Sequence, residues 1–350
     1  MKKSNLINTL RTFEKKELRN LHKWLLSPAH NQREDVVALF DYLATGTHLF
    51  SEKHLAKPKA FHAVYPGKTF SDAEMRQVMH FLFRVVEAFL VYQELLADEV
   101  KVQVTLAKVY RQRQLPKLFK RAMDSGWKTQ AKQPTRNSQF YENEMLLQYE
   151  QYSYLSGLGR NVPLNLQEVS DANDVAFLAN KLRLGCIMLS HQAVFKTEYQ
   201  FHFLDDLLKF LESHLSYLDI PAISIYYFSF KAISEKESEG HFQELKKRIQ
   251  QHSDLFPPDE IRVILLLAVN YCIGQVNAGK DAYFRETFEL YELGMSKDVF
   301  LENGVLSRFT FGNAIRIALN LKEFRWVEEL IESEGAHLED KHRENYVQFY

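Results

Sequence analysis

The sequence predicts an all-α chain: a helical-hairpin repeat array, an α-solenoid, preceded by an N-terminal helical region. Three observations carry this expectation. The nonamer Phe284-Arg285-Glu286-Thr287-Phe288-Glu289-Leu290-Tyr291-Glu292 recurs forty residues later as Phe324-Arg325-Trp326-Val327-Glu328-Glu329-Leu330-Ile331-Glu332, with five of nine positions identical. Self-similarity at such a period marks stacked repeats. Apolar residues recur at three- and four-residue spacing along most of the chain, whereas alternating runs bounded by turn pairs are nearly missing. Breaks at Pro221, Pro257-Pro258, Gly279, Gly304 and Gly335 divide the later chain into units 221–256, 257–300 and 301–338, of 36, 44 and 38 residues. Each is long enough for two helices and a turn.

Taken in order, the first expected helix runs from about Glu14 to Leu26 and buries Leu18, Leu21 and Leu25. Ser27-Pro28 ends it, since a residue before proline is pushed out of the helical region. A second, from about Gln32 to Ala44, buries Val36, Leu39, Phe40 and Leu43. Tyr65-Pro66-Gly67 is a turn. Ser71-Asp72-Ala73-Glu74 is a capping box: the serine oxygen accepts from the amide three residues on, and the glutamate reaches back. The long helix it opens has Met75, Val78, Met79, Leu82, Val85, Val86 and Phe89 at helical spacing on its apolar side. Two more follow at about 99–112 and 116–130. The polar stretch Lys128 to Ser138, with Pro134, is the expected linker, dividing a basic domain 1–136 from an acidic array 137–350. Within the array, helices are expected to begin near residues 140, 171, 203, 221, 240, 260, 281, 306, 323 and 342.

Phe311, Ala314, Ala318, Phe324 and Val327 sit where tetratricopeptide-like repeats place their interlocking large and small residues. Over roughly residues 170–350 the chain resembles a divergent member of that superhelical group, with Ile315 and Glu334 in place of two small residues. It is also similar to a set of helical-repeat proteins sharing Ser27-Pro28-x-x-Asn31, Asn270-Tyr271-Cys272-Ile273 and Asn277-x-Gly279. The resemblance implies a fold and no chemistry. Arg343 to Tyr350 starts a further apolar-patterned helix. It is expected to fold back as a cap, to pair with another copy, or to lead into chain beyond residue 350.

Composition narrows the classes. Aromatics are plentiful (26 Phe, 17 Tyr) and no low-complexity tract occurs, which argues against disorder. No apolar signal core follows Met1, and no run reaches about eighteen apolar residues. The two cysteines, Cys186 and Cys272, lie inside apolar patterns, as free thiols do in a reducing cytoplasm, so a cytoplasmic location is expected. Net charge is −1, yet residues 1–136 carry 24 Lys and Arg against 13 Asp and Glu, and the remainder carries 20 against 32. Such asymmetry points to an anionic partner for the basic half, or to attraction between the halves or between copies.

Catalytic motifs are not evident. Gly274 to Lys280 matches a phosphate-binding loop, but Asp281 replaces the hydroxyl residue that holds magnesium, and no βαβ pattern surrounds it. The thirteen histidines show no zinc spacing; His337, Glu339, Asp340 and His342 read as solvated residues before a helix. No nucleophile elbow occurs, and neither cysteine has an electropositive setting. Phe140, Tyr141, Tyr149, Tyr152 and Tyr154 read as interdigitating core aromatics whose hydroxyls reach the edge, with an interface as the alternative. No enzyme activity, cofactor or metal is expected.

Two surfaces remain. Asn270, Asn277, Asn313, Arg316 and Asn320 are polar side chains inside otherwise apolar helices, and read as contacts facing a binding groove or as structural residues. Residues 101–136 hold ten Lys and Arg with only Asp124 as acid. On a helical wheel from Pro116, Lys117, Lys120, Arg121 and Lys128 share one face, with Arg111 and Arg113 upstream and Trp127 the one large aromatic nearby. The expected function is a non-catalytic scaffold or adaptor holding a peptide or protein on the repeat surface. The alternative is nucleic-acid binding through 101–136.

Overall fold

A computed structural model describes residues 1–195, 197–235, 239–339 and 343, and among these described residues it shows sixteen α-helices, four short 3-10 turns of helix and one two-stranded hairpin. The later part of the expected terminal helix, 344–350, lies outside the described residues, as do Asp340 and His342. The chain divides into two compact units, Met1–Val102 and Gln103–Tyr350.

In the first unit, α1 (Asn5–Leu10), α2 (Lys15–Leu26), α3 (Glu34–Ala44), α4 (Lys57–Val64) and α5 (Asp72–Ala97) enclose one core. The apolar stripes expected on α2, α3 and α5 supply it, with Leu21, Val36, Leu39, Met75 and Leu82 fully buried. Leu18 and Val85 of the expected sets are only half-buried. Ser71 caps α5 by accepting from the Glu74 amide, as the sequence predicts. The Ser27-Pro28-x-x-Asn31 motif has a local explanation. Asn31 donates from Nδ2 to the carbonyls of Leu25 (3.1 Å) and Arg33 (3.0 Å), while its Oδ1 accepts from the Arg33 amide (3.1 Å). It closes the end of α2 and sets the start of α3, a structural task. The periodicity did not place α1 and α4, which are short and lack a long stripe.

Helix α6 (Glu99–Gln112) spans the division, and the second unit continues with α7 (Pro116–Lys132), α8 (Ser138–Leu155), α9 (Leu166–Val194) and α10 (Leu204–Ser213). Three hairpins follow: α11 (Pro221–Ser234) with α12 (Glu239–His252), α13 (Pro258–Asn277) with α14 (Ala282–Ser296), and α15 (Arg308–Asn320) with α16 (Phe324–Glu334). Within each hairpin the helices pack together, and between hairpins α9 meets α11, α11 meets α13, and α14 meets α15. The arrangement is a helical array of packed pairs. One continuous core runs through it, from Leu178 to Leu338.

The two nonamers occupy equivalent places, each forming the body of a second helix, α14 and α16. A second correspondence links the first helices, at an offset of 43: Asn270 to Asn277 in α13 matches Asn313 to Asn320 in α15. Helix α13 ends in a Schellman cap, with Gly279 at φ +85° donating to Val276 O (2.9 Å) and Lys280 to Gln275 O (3.1 Å). Helix α15 ends in the same way, Lys322 at φ 63° donating to Leu319 O (3.1 Å) and Glu323 to Ala318 O (2.9 Å). The phosphate-loop match at Gly274 to Lys280 is therefore a helix end. Its glycine serves a left-handed cap, and Lys280 pairs with Glu239 at 3.0 Å.

One element departs from the expected all-helical pattern. Strands β1 (Leu301–Glu302) and β2 (Val305–Leu306) pair antiparallel around Asn303-Gly304, whose φ values of 54° and 78° suit a tight two-residue turn. Strands of two residues are too short for alternation to register; only the Asn-Gly pair announced them. Leu306 also bridges to Leu338, tying the hairpin to the segment after α16.

A buried polar junction fastens the first two hairpins to each other and to the helices before them. Glu260, in the first turn of α13, accepts from Asn137 Nδ2 at 2.7 Å and from the Tyr226 hydroxyl, with Arg183 Nε at 3.4 Å. Burial first, then the Glu260 carboxylate, pushes the Tyr226 hydroxyl far up, so it remains a donor. Removing one member of such a set strands the others without partners. Cys186 and Cys272 are both buried and free, and burial pushes both thiols up. Among the described residues, no helix is long and apolar enough to cross a membrane, and no His, Cys, Asp and Glu group could hold a metal ion.

Candidate functional site

Two surfaces of the second unit gather side chains that chemistry could use. The first is the outer face of α7. Phe119, Ala122 and Met123 are buried, which turns Lys117, Lys120, Arg121 and Lys128 outward, and all four are exposed. With Asp124 and Ser125 they line a depression of about 420 Å³. Among the described residues none of these four cations lies within ion-pair distance of a carboxylate, although Asp124 shares the depression. Neighbouring cations elsewhere in this unit are mostly paired: Lys246 to Glu286 and Glu289, Lys297 to Asp254, Arg285 to Glu323.

The upstream arginines take different paths. Arg111 sits with its Nε 2.6 Å and its second nitrogen 3.2 Å from the buried Glu150 carboxylate of α8. That hydrogen-bonded carboxylate raises the Arg111 pKa further, and the guanidinium acts as a brace between α6 and α8. Arg113 is exposed in the turn before α7 but does not line the depression.

Beside the cations runs a second cavity, of about 490 Å³, between α7 and α8. Lys117, Lys120 and Asp124 border both cavities, and Met123, Trp127, Gln151 and Tyr154 form the wall of this one. Tyr154 stacks on Phe119 with centroids 4.1 Å apart and planes 15° from parallel. Trp127 and Tyr154 are both half-buried, so each keeps part of its ring accessible. The sequence pointed to Trp127 and set Tyr154 among core aromatics. In the structure none of that aromatic run is fully buried, and Tyr149 is 55% exposed. Tyr154 could be found only by knowing which face of α8 meets α7.

The second surface belongs to the first helices of the hairpins. Asn270 and Asn277 are exposed along α13, and Arg316 and Asn320 along α15. Asn313 is half-buried and hydrogen-bonds the Tyr291 hydroxyl, which burial pushes up to about 12 against the opposing effect of that bond. It helps to hold α15 on α14. At the start of these helices lies a cavity of about 750 Å³, lined by Arg262 and Leu266 of α13, the β1–β2 hairpin, and Ser307 to Thr310 at the start of α15. Phe309 is 66% exposed within it, under the Arg308 guanidinium at 4.7 Å from the ring centroid. Arg262 reaches the Leu301 carbonyl at 3.3 Å and approaches Glu302 at 3.9 Å. Periodicity did not single out Arg262, Arg308 or Phe309, because the short hairpin that turns them toward one cavity was not foreseen.

No protein-family model matches the chain, and no curated protein or solved structure matches it with significance.

Proposed function

We propose that the protein is a non-catalytic scaffold that holds a peptide or protein on the exposed side of its hairpin array. On this reading the hairpins are divergent tetratricopeptide-like repeats, and α13 and α15 present their outer faces to the partner. The observation that carries the reading is Phe309, 66% exposed beside Arg308 and Arg262 at the rim of a cavity of about 750 Å³. An accessible aromatic flanked by arginines, over an aliphatic floor such as Leu266, is the composition of interface hot spots. Asn270, Asn277, Arg316 and Asn320 extend a polar surface along the same two helices, suited to hydrogen bonds with a main chain.

The test is selection of peptides from a displayed library on the full chain, followed by affinity measurement against variants. Phe309→Ala and Arg262→Ala should each weaken the selected peptides about tenfold or more. Peptides whose binding ignores both substitutions, with Asn270→Ala and Asn320→Ala equally silent, would refute this surface as the partner site.

A further inference from the structure

The α7–α8 cleft combines two properties that the scaffold reading leaves unused. Its rim carries Lys117, Lys120, Arg121 and Lys128, all exposed and without a carboxylate at ion-pair distance among the described residues. Its wall carries Trp127 and Tyr154 with part of each ring open. We infer that this cleft is a binding site for single-stranded nucleic acid, with phosphates along the α7 row and a base against the aromatic wall.

Geometry favours this ligand over other polyanions. Lys117 and Lys128 are eleven helical steps apart, about 16 Å at 1.5 Å per residue. A row of that length suits a linear chain of charges better than a single phosphate. An acidic peptide would satisfy the cations but has no use for the rings. A base does, because every base offers a π face to an aromatic side chain. A duplex keeps its bases stacked inside, out of reach of Trp127 and Tyr154. Both cavities share Lys117 and Lys120, so a strand neutralised on the row has its bases beside the wall. Asp124, which also borders both, opposes any anion there and sets a limit on affinity.

The experiment is fluorescence anisotropy of labelled twelve-residue oligothymidylate and oligouridylate with the full chain, from 50 to 200 mM salt. Four neutralised phosphates give a log–log slope near −2.8, so affinity should fall on the order of 50-fold across that range. The triple reversal Lys117→Glu, Lys120→Glu, Arg121→Glu changes only exposed side chains and should abolish binding with the circular dichroism spectrum intact. Asp124→Asn should tighten it. Trp127→Ala and Tyr154→Ala should each weaken binding about tenfold or more at fixed salt and leave the slope unchanged. Because both rings are half-buried, quenching of Trp127 fluorescence by oligonucleotide, read in the Trp24→Phe, Trp326→Phe background, provides a readout without removing either. The inference is overturned if a polyglutamate or a duplex of equal charge competes as well as the single strand. It is also overturned if Trp127 emission stays constant at saturation, or if no binding occurs at 50 mM salt.

Discussion

The α13–α14 and α15–α16 hairpins start from related sequence and use it differently. Shared positions do shared work. Cys272 and Ile315, at matching places in α13 and α15, are both fully buried, and Leu290 and Leu330 in α14 and α16 are both buried. Arg285 pairs with Glu289 at 3.5 Å, and Arg325 with Glu329 at 2.9 Å, the same i,i+4 contact one repeat apart. Differing positions mark where each hairpin meets something its counterpart does not. Gly294 of α14 lies under the buried Phe300 ring, whereas Glu334, forty residues later, hydrogen-bonds His337 at 2.9 Å. Phe288 is buried and meets Trp326 edge-on at 5.0 Å; its counterpart, Glu328, is exposed. A repeat is thus a shared interior with private contacts at its margins, and those contacts tell the two hairpins apart.

The sharpest way to break this comparison is at Gly294. A Cβ there would come within 2.6 Å of Phe300 Cζ and 2.8 Å of Cδ2, against a ring that is only 4% exposed. In an open helix Gly→Ala gains about 1 kcal/mol. Overpacking costs about 1–3 kcal/mol, and contacts this short against a buried ring fall in the upper part of that range, so Gly294→Ala should be net destabilising by about 1–2 kcal/mol in urea denaturation. Phe300→Ala is costly alone, yet in the double variant the two losses should combine to less than their sum, because the clash is gone. Glu334→Ala should change stability by under about 1 kcal/mol. A Gly294→Ala chain as stable as the parent would mean that Phe300 does not pack on α14 as described.

The helix ends offer a reciprocal test. Gly279 and Lys322 hold the same left-handed cap in α13 and α15, at φ +85° and 63°. An L-residue in that region costs about 1–2 kcal/mol, part of which glycine returns as lost chain entropy. Lys322→Gly should therefore stabilise by roughly 0.5–1 kcal/mol, and Gly279→Lys should destabilise by about the same or more. Equal signs for the two substitutions would contradict the equivalence of the caps.

These residues also show what the sequence could reveal. The nonamers located α14 and α16, and the offset of 43 located the matching faces of α13 and α15, because burial in a stack repeats whenever the stack does. Proline and glycine placed the breaks, since their backbone constraints are local. The private contacts were out of reach: Phe300 over Gly294, and Phe309 turned toward Arg262 by a six-residue hairpin, depend on contacts across elements that periodicity does not encode. The candidate cleft divides the same way. Lys117, Lys120, Arg121 and Lys128 share a helix and could be read from its wheel, whereas Tyr154 comes from α8. Arg111 counts as free charge in the sequence, but a carboxylate 39 residues away takes it up.

The smallest expected difference lies between the two arginines of the nonamers. Arg285 is 54% exposed and also reaches Glu323 at 2.6 Å, joining α14 to the residue before α16. Arg325 is 91% exposed, with only its i,i+4 partner Glu329 among the described residues. Both pairs are open to solvent, where side-chain entropy and water cancel most of the Coulomb attraction. Arg285→Ala should lower the melting temperature slightly more than Arg325→Ala at low ionic strength, because it removes a link between hairpins as well as one within a helix. Screening shortens to about 3 Å at 1 M salt, so the gap between the two variants should close there. A gap that persists at 1 M salt would assign the contribution of Arg285 to the packing of its stem over Phe288, whose ring centroid lies 5.2 Å from the guanidinium carbon.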